Sequence, residues 1–180
     1  MPAVRASDRP GGSPSVDSSR RMDALPLRIR AAYPRETQIL VEFNRAMALE
    51  TEGRELDPER VRAGVEAVFA DPSRGTYWLA LRGEEVLGGL LITHEWSDWR
   101  NGTFWWIKSV YVVPHARRSG VFRQLYEHVA ARARANPDVC GLRLYVDHEN
   151  RSAQDVYRKL AMREARYRFF EVDFVLGEGS

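Results

Sequence analysis

The sequence predicts an α/β domain, a mixed sheet flanked by helices in the order β-α-α-β-β-β-α-β-α-β. Three observations lead there. Residues 109–134 read as an apolar strand, a short basic turn and an amphipathic helix. Two helical patterns, Ile39/Phe43/Met47 and Val61/Val65/Val68, precede three consecutive strand-like runs. The third of those runs, Phe104 to Val113, is apolar almost throughout, as a central strand covered on both faces would be.

Each element has a local reason. Residues 1–23 are rich in Pro, Gly, Ser and Arg, with few apolar side chains and no apolar stretch typical of a secretory signal. They read as a disordered leader, with Met22 near the start of a single domain over 24–180. Leu25 to Ala31 alternates apolar and basic residues and predicts a first strand. Pro34 suits a first helical position, and the helix runs to about Glu50. Residues 50–56 break the pattern. Asp57-Pro58 is an N-cap followed by a first-turn proline, opening the second helix. A turn over 71–75 leads to Thr76–Leu81, which pairs through Arg82-Gly83-Glu84 with Val86–Thr93. Glu95 to Gly102 is expected as a loop ending in Asn-Gly. After the helix of Val121, Leu125 and Val129, Asn136-Pro137-Asp138 stops the element. Gly141 to Asp147 is expected as a strand, with Leu142, Leu144 and Val146 on one face. A helix follows Asn150, and Tyr167 to Phe174 is expected as a final strand.

Composition bounds the function. The chain has 180 residues, 44% hydrophobic and 29% charged, with formal net charge +2. That length suits one domain with a sizeable core, and nothing in the bulk charge demands nucleic acid or a membrane surface. Several arginines lie in runs, among them Arg132, Arg134, Arg158 and Arg163. Glu127, Glu149, Asp155 and Glu164 interrupt them, as in an ordinary solvated face. The single cysteine, Cys140, excludes an internal disulfide framework and suits a reducing, cytoplasmic setting. It sits where a strand begins and reads as a small packed thiol rather than a nucleophile. No apolar run is long enough to span a membrane. No metal is expected.

The chemistry is expected at the basic turn, His115-Ala116-Arg117-Arg118-Ser119-Gly120. The first amides of a helix lack intrahelical partners and point out of its N-terminus, where the helix dipole is positive. Arg117 and Arg118 add full charges, and Gly120 lets a phosphate approach the backbone. The turn matches neither a P-loop nor a dinucleotide-binding fingerprint. A pyrophosphate-bearing cofactor is the expected ligand.

The segment Arg117-Arg118-Ser119-Gly120-Val121-Phe122 resembles the acetyl-CoA loop of the GNAT N-acetyltransferase superfamily, [QR]-x-x-G-x-[GA]. Phe122 stands where Gly or Ala is usual. A second stretch resembles the same family's N-x-x-A-x-x-x-Y-x-x-x-G-[FM] segment. Asn150, Ala153, Tyr157 and Met162 match it, and Ala161 replaces the glycine. Asn150 and Tyr157 are two helical turns apart and are expected to share a face.

The resemblance spans roughly residues 26–175 and implies a GNAT-like, mixed, mostly antiparallel sheet. It implies direct transfer of an acetyl group from acetyl-CoA, a co-substrate, to an amine without an acyl-enzyme. It places cofactor contacts at Val110, Tyr111 and Val112, at Arg117, Arg118, Ser119, Gly120, Val121 and Phe122, and at Asn150 and Tyr157. It gives Tyr157 the role of protonating the leaving thiolate.

An acceptor amine also needs a base, directly or through water. Candidate carboxylates are Glu50, Glu52 and Glu55 after the first helix, and Glu95 and Asp98 before the central strand; His94 is a third option. Glu52 and Glu95 are the expected catalytic pair. Trp105 and Trp106 are read as core. Trp96 and Trp99 are expected to line the acceptor pocket beside Glu50, Glu52, Glu95 and Asp98, offering cation–π contact to an ammonium. The expected acceptor is a primary amine of a small molecule. A protein N-terminus or lysine, or a non-catalytic CoA-binding module, are the alternatives, and a homodimer is compatible with the sequence.

Overall fold

A computed structural model describes residues 25–175. The expected leader over 1–23, and the ends of the expected 24–180 domain, lie outside the described residues. The elements are β1 (Leu27–Ala31), α1 (Thr37–Glu52), α2 (Pro58–Ala70), β2 (Thr76–Arg82), β3 (Glu85–Ser97), β4 (Gly102–Val112), α3 (Val121–Ala135), β5 (Val139–Arg143) and α4 (Arg151–Lys159). They form one five-stranded sheet in the order β1-β2-β3-β4-β5. β1 to β4 are antiparallel neighbours, and β5 lies parallel to β4.

Helices cover both faces, and β2 shows why. Its alternate residues Tyr77, Leu79 and Leu81 pack with Leu40, Val41 and Phe43 of α1 and Val65 of α2. Trp78 and Ala80 point the other way, into a core with Val121, Leu125 and Val129 of α3. A strand buried on both faces reads as continuously apolar because each face claims every second residue. Asp57 caps α2 as expected, its Oδ1 accepting from the Glu59 amide at 3.0 Å. α1 runs to Glu52, where Gly53 takes a left-handed φ of 62° and ends it.

Three expected boundaries are corrected. Residues 95–97 are not loop: β3 continues to Ser97, pairing Glu95 with Phe104 and Ser97 with Gly102 across a tight Asp98–Asn101 connection. The strand after α3 does not reach Asp147. Its pairing ends where Arg143 meets Trp106, because β4 there turns away from it. The expected final strand over 167–174 is unpaired here; Phe170 is 88% and Phe174 92% exposed.

The turning of β4 has a local cause. Gly89 pairs with Tyr111 but Leu91 pairs with Lys108, so β4 carries one extra residue between them. Ser109 takes up that bulge with a φ of 49°. Gly88 beside it admits close backbone approach: a Cβ there would lie 2.6 Å from the Tyr111 carbonyl oxygen. Beyond Trp106 and Arg143 the pairing of the two parallel strands stops and leaves a notch between β4 and the chain that follows β5.

Candidate active site

One side of the notch is the expected anion cradle. After β4, Pro114–Ala116 make one 3-10 turn, and Ser119 Oγ donates to the Ala116 carbonyl at 2.6 Å. Arg118 and Gly120 both adopt left-handed backbone, φ 61° and 87°. That pair of turns brings the chain into α3 with its first amides facing outward. Open space surrounds the missing Cβ of Gly120. A cavity of about 400 Å³ lies against this turn, lined among others by Val112, Arg118, Gly120, Phe122, Val156 and Lys159. Four cations (Arg117, Arg118, Arg123 and Lys159), a helix N-terminus and apolar walls fit a ligand with a phosphate group and an apolar arm.

Arg117 lines the same cavity and also reaches beyond it. Its Nε donates to the Val112 carbonyl at 2.9 Å, and its Nη2 meets Glu50 Oε2 at 2.6 Å. Tyr111 donates to the other oxygen of Glu50 at 3.1 Å and packs on Phe43. Arg117 thus ties the end of β4 and the cradle to α1. Glu50, expected as an acceptor-side carboxylate, is the residue that clamps it. Burial is the first cause that raises the Tyr111 phenol above its usual range, the Glu50 carboxylate the second.

In the second segment Asn150 is the N-cap of α4, its Oδ1 accepting from the Ala153 amide at 3.1 Å and its carbonyl from the Gln154 amide at 3.2 Å, seven residues before Tyr157. Tyr157 is half-buried, and its ring meets that of Phe122 edge-on at 5.6 Å. Burial raises its phenol above the usual tyrosine range, which keeps it protonated at neutral pH. It does not line the cavity at the cradle, whereas its neighbours Val156 and Lys159 do.

The other side of the notch lies on the face that carries α1. Glu95 holds two partners there: Arg143 at 2.6 Å and the indole N–H of Trp106. The Arg143 guanidinium stacks 3.6 Å above the Phe104 ring. Tyr145 pairs with Trp106 at 6.0 Å, and the Lys108 ammonium lies 5.7 Å from its centroid. The Tyr145 phenol is raised first by burial, then by the charges of Glu171 and Glu52. Glu95 is joined to Tyr145 through Trp106, and Glu52 is near enough for its charge to act on the same phenol.

It does not bring the expected tryptophans with them. Trp96 alternates with Glu95 along β3 and so points to the opposite sheet face. Trp99 is 85% exposed in the β3–β4 connection, with Asp98 beside it accepting from its amide. That connection stands at the far end of β4, roughly 30 Å from Val112 at strand rise. His94 sits on the same face as Trp96, against Trp105 and the Ser73 carbonyl. Glu55 is exposed beyond α1.

Lys108, Arg143 and Tyr145, which drew no notice in the sequence, share this face, and Trp106, read there as core, lies among them. The alternation of Leu142, Leu144 and Val146 carried the signal, because it puts Arg143 and Tyr145 on the other face. Among the described residues no group of His, Cys, Asp and Glu is arranged to hold a metal ion. No helix among them is long and apolar enough to cross a membrane.

Comparison with known proteins agrees with this geometry. The family model described as the acetyltransferase (GNAT) family matches residues 38–162. A possible acetyltransferase from Clostridium difficile 630 is similar at 37% identity and a TM-score of 0.78, over 83% of this chain and 98% of that one. A probable acetyltransferase shares the fold at 24% identity and a TM-score of 0.72, over 82% and 98%. So does a predicted acetyltransferase with acetyl-CoA from Clostridium acetobutylicum, at 15% identity and 0.67, over 86% and 100%. No curated protein matches the chain.

Proposed function

The chain belongs to the GNAT family of acyl-CoA-dependent N-acetyltransferases, and from that premise we propose that it moves an acetyl group from acetyl-CoA directly to a primary amine of a small molecule. The observation that carries the proposal is the notch between β4 and β5. One side of it is a phosphate-binding cradle, and the other is a face of carboxylates and aromatic rings.

The residues present fit acetyl-CoA. The α3 amides, Arg118 and Lys159 would hold its pyrophosphate, and Val112, Phe122 and Val156 would line its apolar arm. When bound, it supplies a thioester carbonyl. Main-chain groups at the end of β4, Val110 to Val112, are the donors nearest the notch for polarising that carbonyl, an oxyanion-hole role. Tyr157, kept protonated by burial, is the acid for the departing thiolate. On the acceptor side, Glu95 is committed to Arg143 and Trp106 and orients that face. Glu52, at the exposed end of α1, is the carboxylate that takes the ammonium proton, directly or through water. Tyr145 and Trp106, rather than Trp96 and Trp99, supply the aromatic wall that favours a cation. Holding both reactants in one notch supplies the rest.

The test is a thiol-release assay with acetyl-CoA across a panel of small primary amines, run beside peptides with free N-termini. Turnover on small amines is expected. Turnover confined to the peptides would move the acceptor to protein, and none on either would remove the reading.

A further inference from the structure

We infer that the acceptor is an apolar or aromatic amino acid, an amine that also carries a carboxylate, and that Lys108 binds that carboxylate. The inference rests on the acceptor reading given above and names the substrate class of that site.

The bulge in β4 places the lysine. Lys108 pairs with Leu91, whose side chain belongs to the core under α1, and cross-strand partners share a face. Regular alternation would bring Val110 to that face next. The extra residue at Ser109 sends Val110 to the α3 core instead and makes Tyr111 the next side chain beside Lys108. Tyr111 donates to Glu50 at 3.1 Å, so the last turn of α1, which also carries Glu52, reaches this part of β4. The pairing of β5 with β4 has already stopped at Arg143, so Lys108 stands where the notch opens. Its ammonium lies 5.7 Å from the centroid of Tyr145. Two residues further along β4, roughly 7 Å at strand rise, begin the main-chain groups assigned to the thioester carbonyl.

The charge balance of this face says what is missing. Arg143 meets Glu95 at 2.6 Å, and Arg117 meets Glu50 at 2.6 Å. Lys108 is half-buried, and among the described residues no carboxylate pairs with it. Glu52 and Glu171 are near enough to act on the Tyr145 phenol, yet neither reaches the ammonium. A partly desolvated cation is costly without an anion, and a ligand that brings one removes that cost. A zwitterion matches both signs, its ammonium toward Glu52 and its carboxylate on Lys108. A plain amine would instead set a second cation beside the lysine, and like charges brought together select against the wrong partner. One ammonium, against four cations at the cradle, suits a singly charged group rather than a phosphate. Trp106 and Tyr145 offer the apolar surface on which the amino acid's side chain would lie.

The test uses matched acceptors on the full-length protein: phenylalanine with phenethylamine, and leucine with isopentylamine. Thiol release with acetyl-CoA gives the ratio of kcat/KM for acid over amine. Comparing that ratio between parent and variant cancels the intrinsic reactivity of each amine. Lys108→Met should lower it by about tenfold or more, through a higher KM for the acid, and Lys108→Arg should restore much of it. An equal loss on acid and amine, or an unmoved ratio, would overturn the assignment. Binding is read separately by calorimetry on protein saturated with CoA, which has no acetyl group to transfer. The acids should bind the parent about tenfold or more tightly than the matched amines, and Lys108→Met should erase the difference. Equal binding of acid and amine by the parent, or no binding of either acid, would overturn it too. Turnover of plain amines without preference for the acids would remove the role of Lys108 and leave acetyl transfer standing. Lys108-dependent binding of the acids without turnover would do the reverse.

Discussion

The ring of Phe122, in the first turn of α3, meets the ring of Tyr157 on α4 edge-on at 5.6 Å. Phe122 occupies the position where the acetyl-CoA loop motif has Gly or Ala. Here the larger ring does not obstruct the cradle; it forms one wall of the cavity and braces the tyrosine proposed as the acid.

Tyr157→Phe should therefore keep the fold and most acetyl-CoA affinity while cutting kcat by about 10²–10⁴, the span typical of a general acid. Phe122→Ala should lower Tm and also reduce kcat, because it frees the tyrosine ring. Since burial raises the Tyr157 phenol above the usual tyrosine range, its loss of a proton should not limit kcat at neutral or mildly alkaline pH. Undiminished turnover in Tyr157→Phe would assign the proton to water.

Gly120→Glu should abolish the thermal stabilisation that acetyl-CoA gives the parent protein. The backbone there has φ 87°, unfavourable to any side chain, and a carboxylate would meet the phosphate site. A ligand that binds only the folded state stabilises it by about 2.7 kcal/mol at a hundredfold excess over Kd, and so raises Tm. A shift equal to the parent's would mean that the cofactor lies elsewhere.

Glu52→Gln and Glu95→Gln should separate two roles. The first should lower kcat most at neutral pH and less in alkali, where the amine deprotonates without help. The second should raise KM for amines with little change in pH profile, because it loosens Arg143 and Trp106. The Glu95–Arg143 pair is partly exposed, so its loss should cost the fold no more than about 1 kcal/mol. Trp96→Ala and Trp99→Ala should leave both parameters unchanged. Parent-like kinetics for both glutamine variants from pH 6 to 9 would return these carboxylates to the solvated surface.

Glu36 gives a stability prediction. Arg30 reaches both its oxygens, at 2.8 and 2.5 Å, and this hydrogen-bonded pairing holds the carboxyl below the usual carboxylate range. A depressed folded-state value favours the folded state above the unfolded value, and that contribution fades as pH falls through the folded one. Glu36→Gln should thus cost about 1–3 kcal/mol in denaturant unfolding at neutral pH. The difference from the parent should vanish in acid; a gap independent of pH would make the role one of packing.

The sequence alone determined the cradle and most of the sheet. These are local properties: a strand, a Gly-ended basic turn and a helix start are contiguous, and two-sided burial shows as an unbroken apolar run in β4. Helix caps at Asp57 and Asn150 are equally local. Tertiary structure decided the acceptor side. Glu52, Tyr145, Trp106 and Glu95 come from four separate elements, and no spacing along the chain relates them. Which face each side chain takes depended on where strands end and bulge. Extending β3 to Ser97 sent Glu95 and Trp96 to opposite faces, and one extra residue at Ser109 opened the notch that the proposed reaction needs. A one-residue change of register moves every following side chain across the sheet, and that choice is fixed by pairing with distant strands.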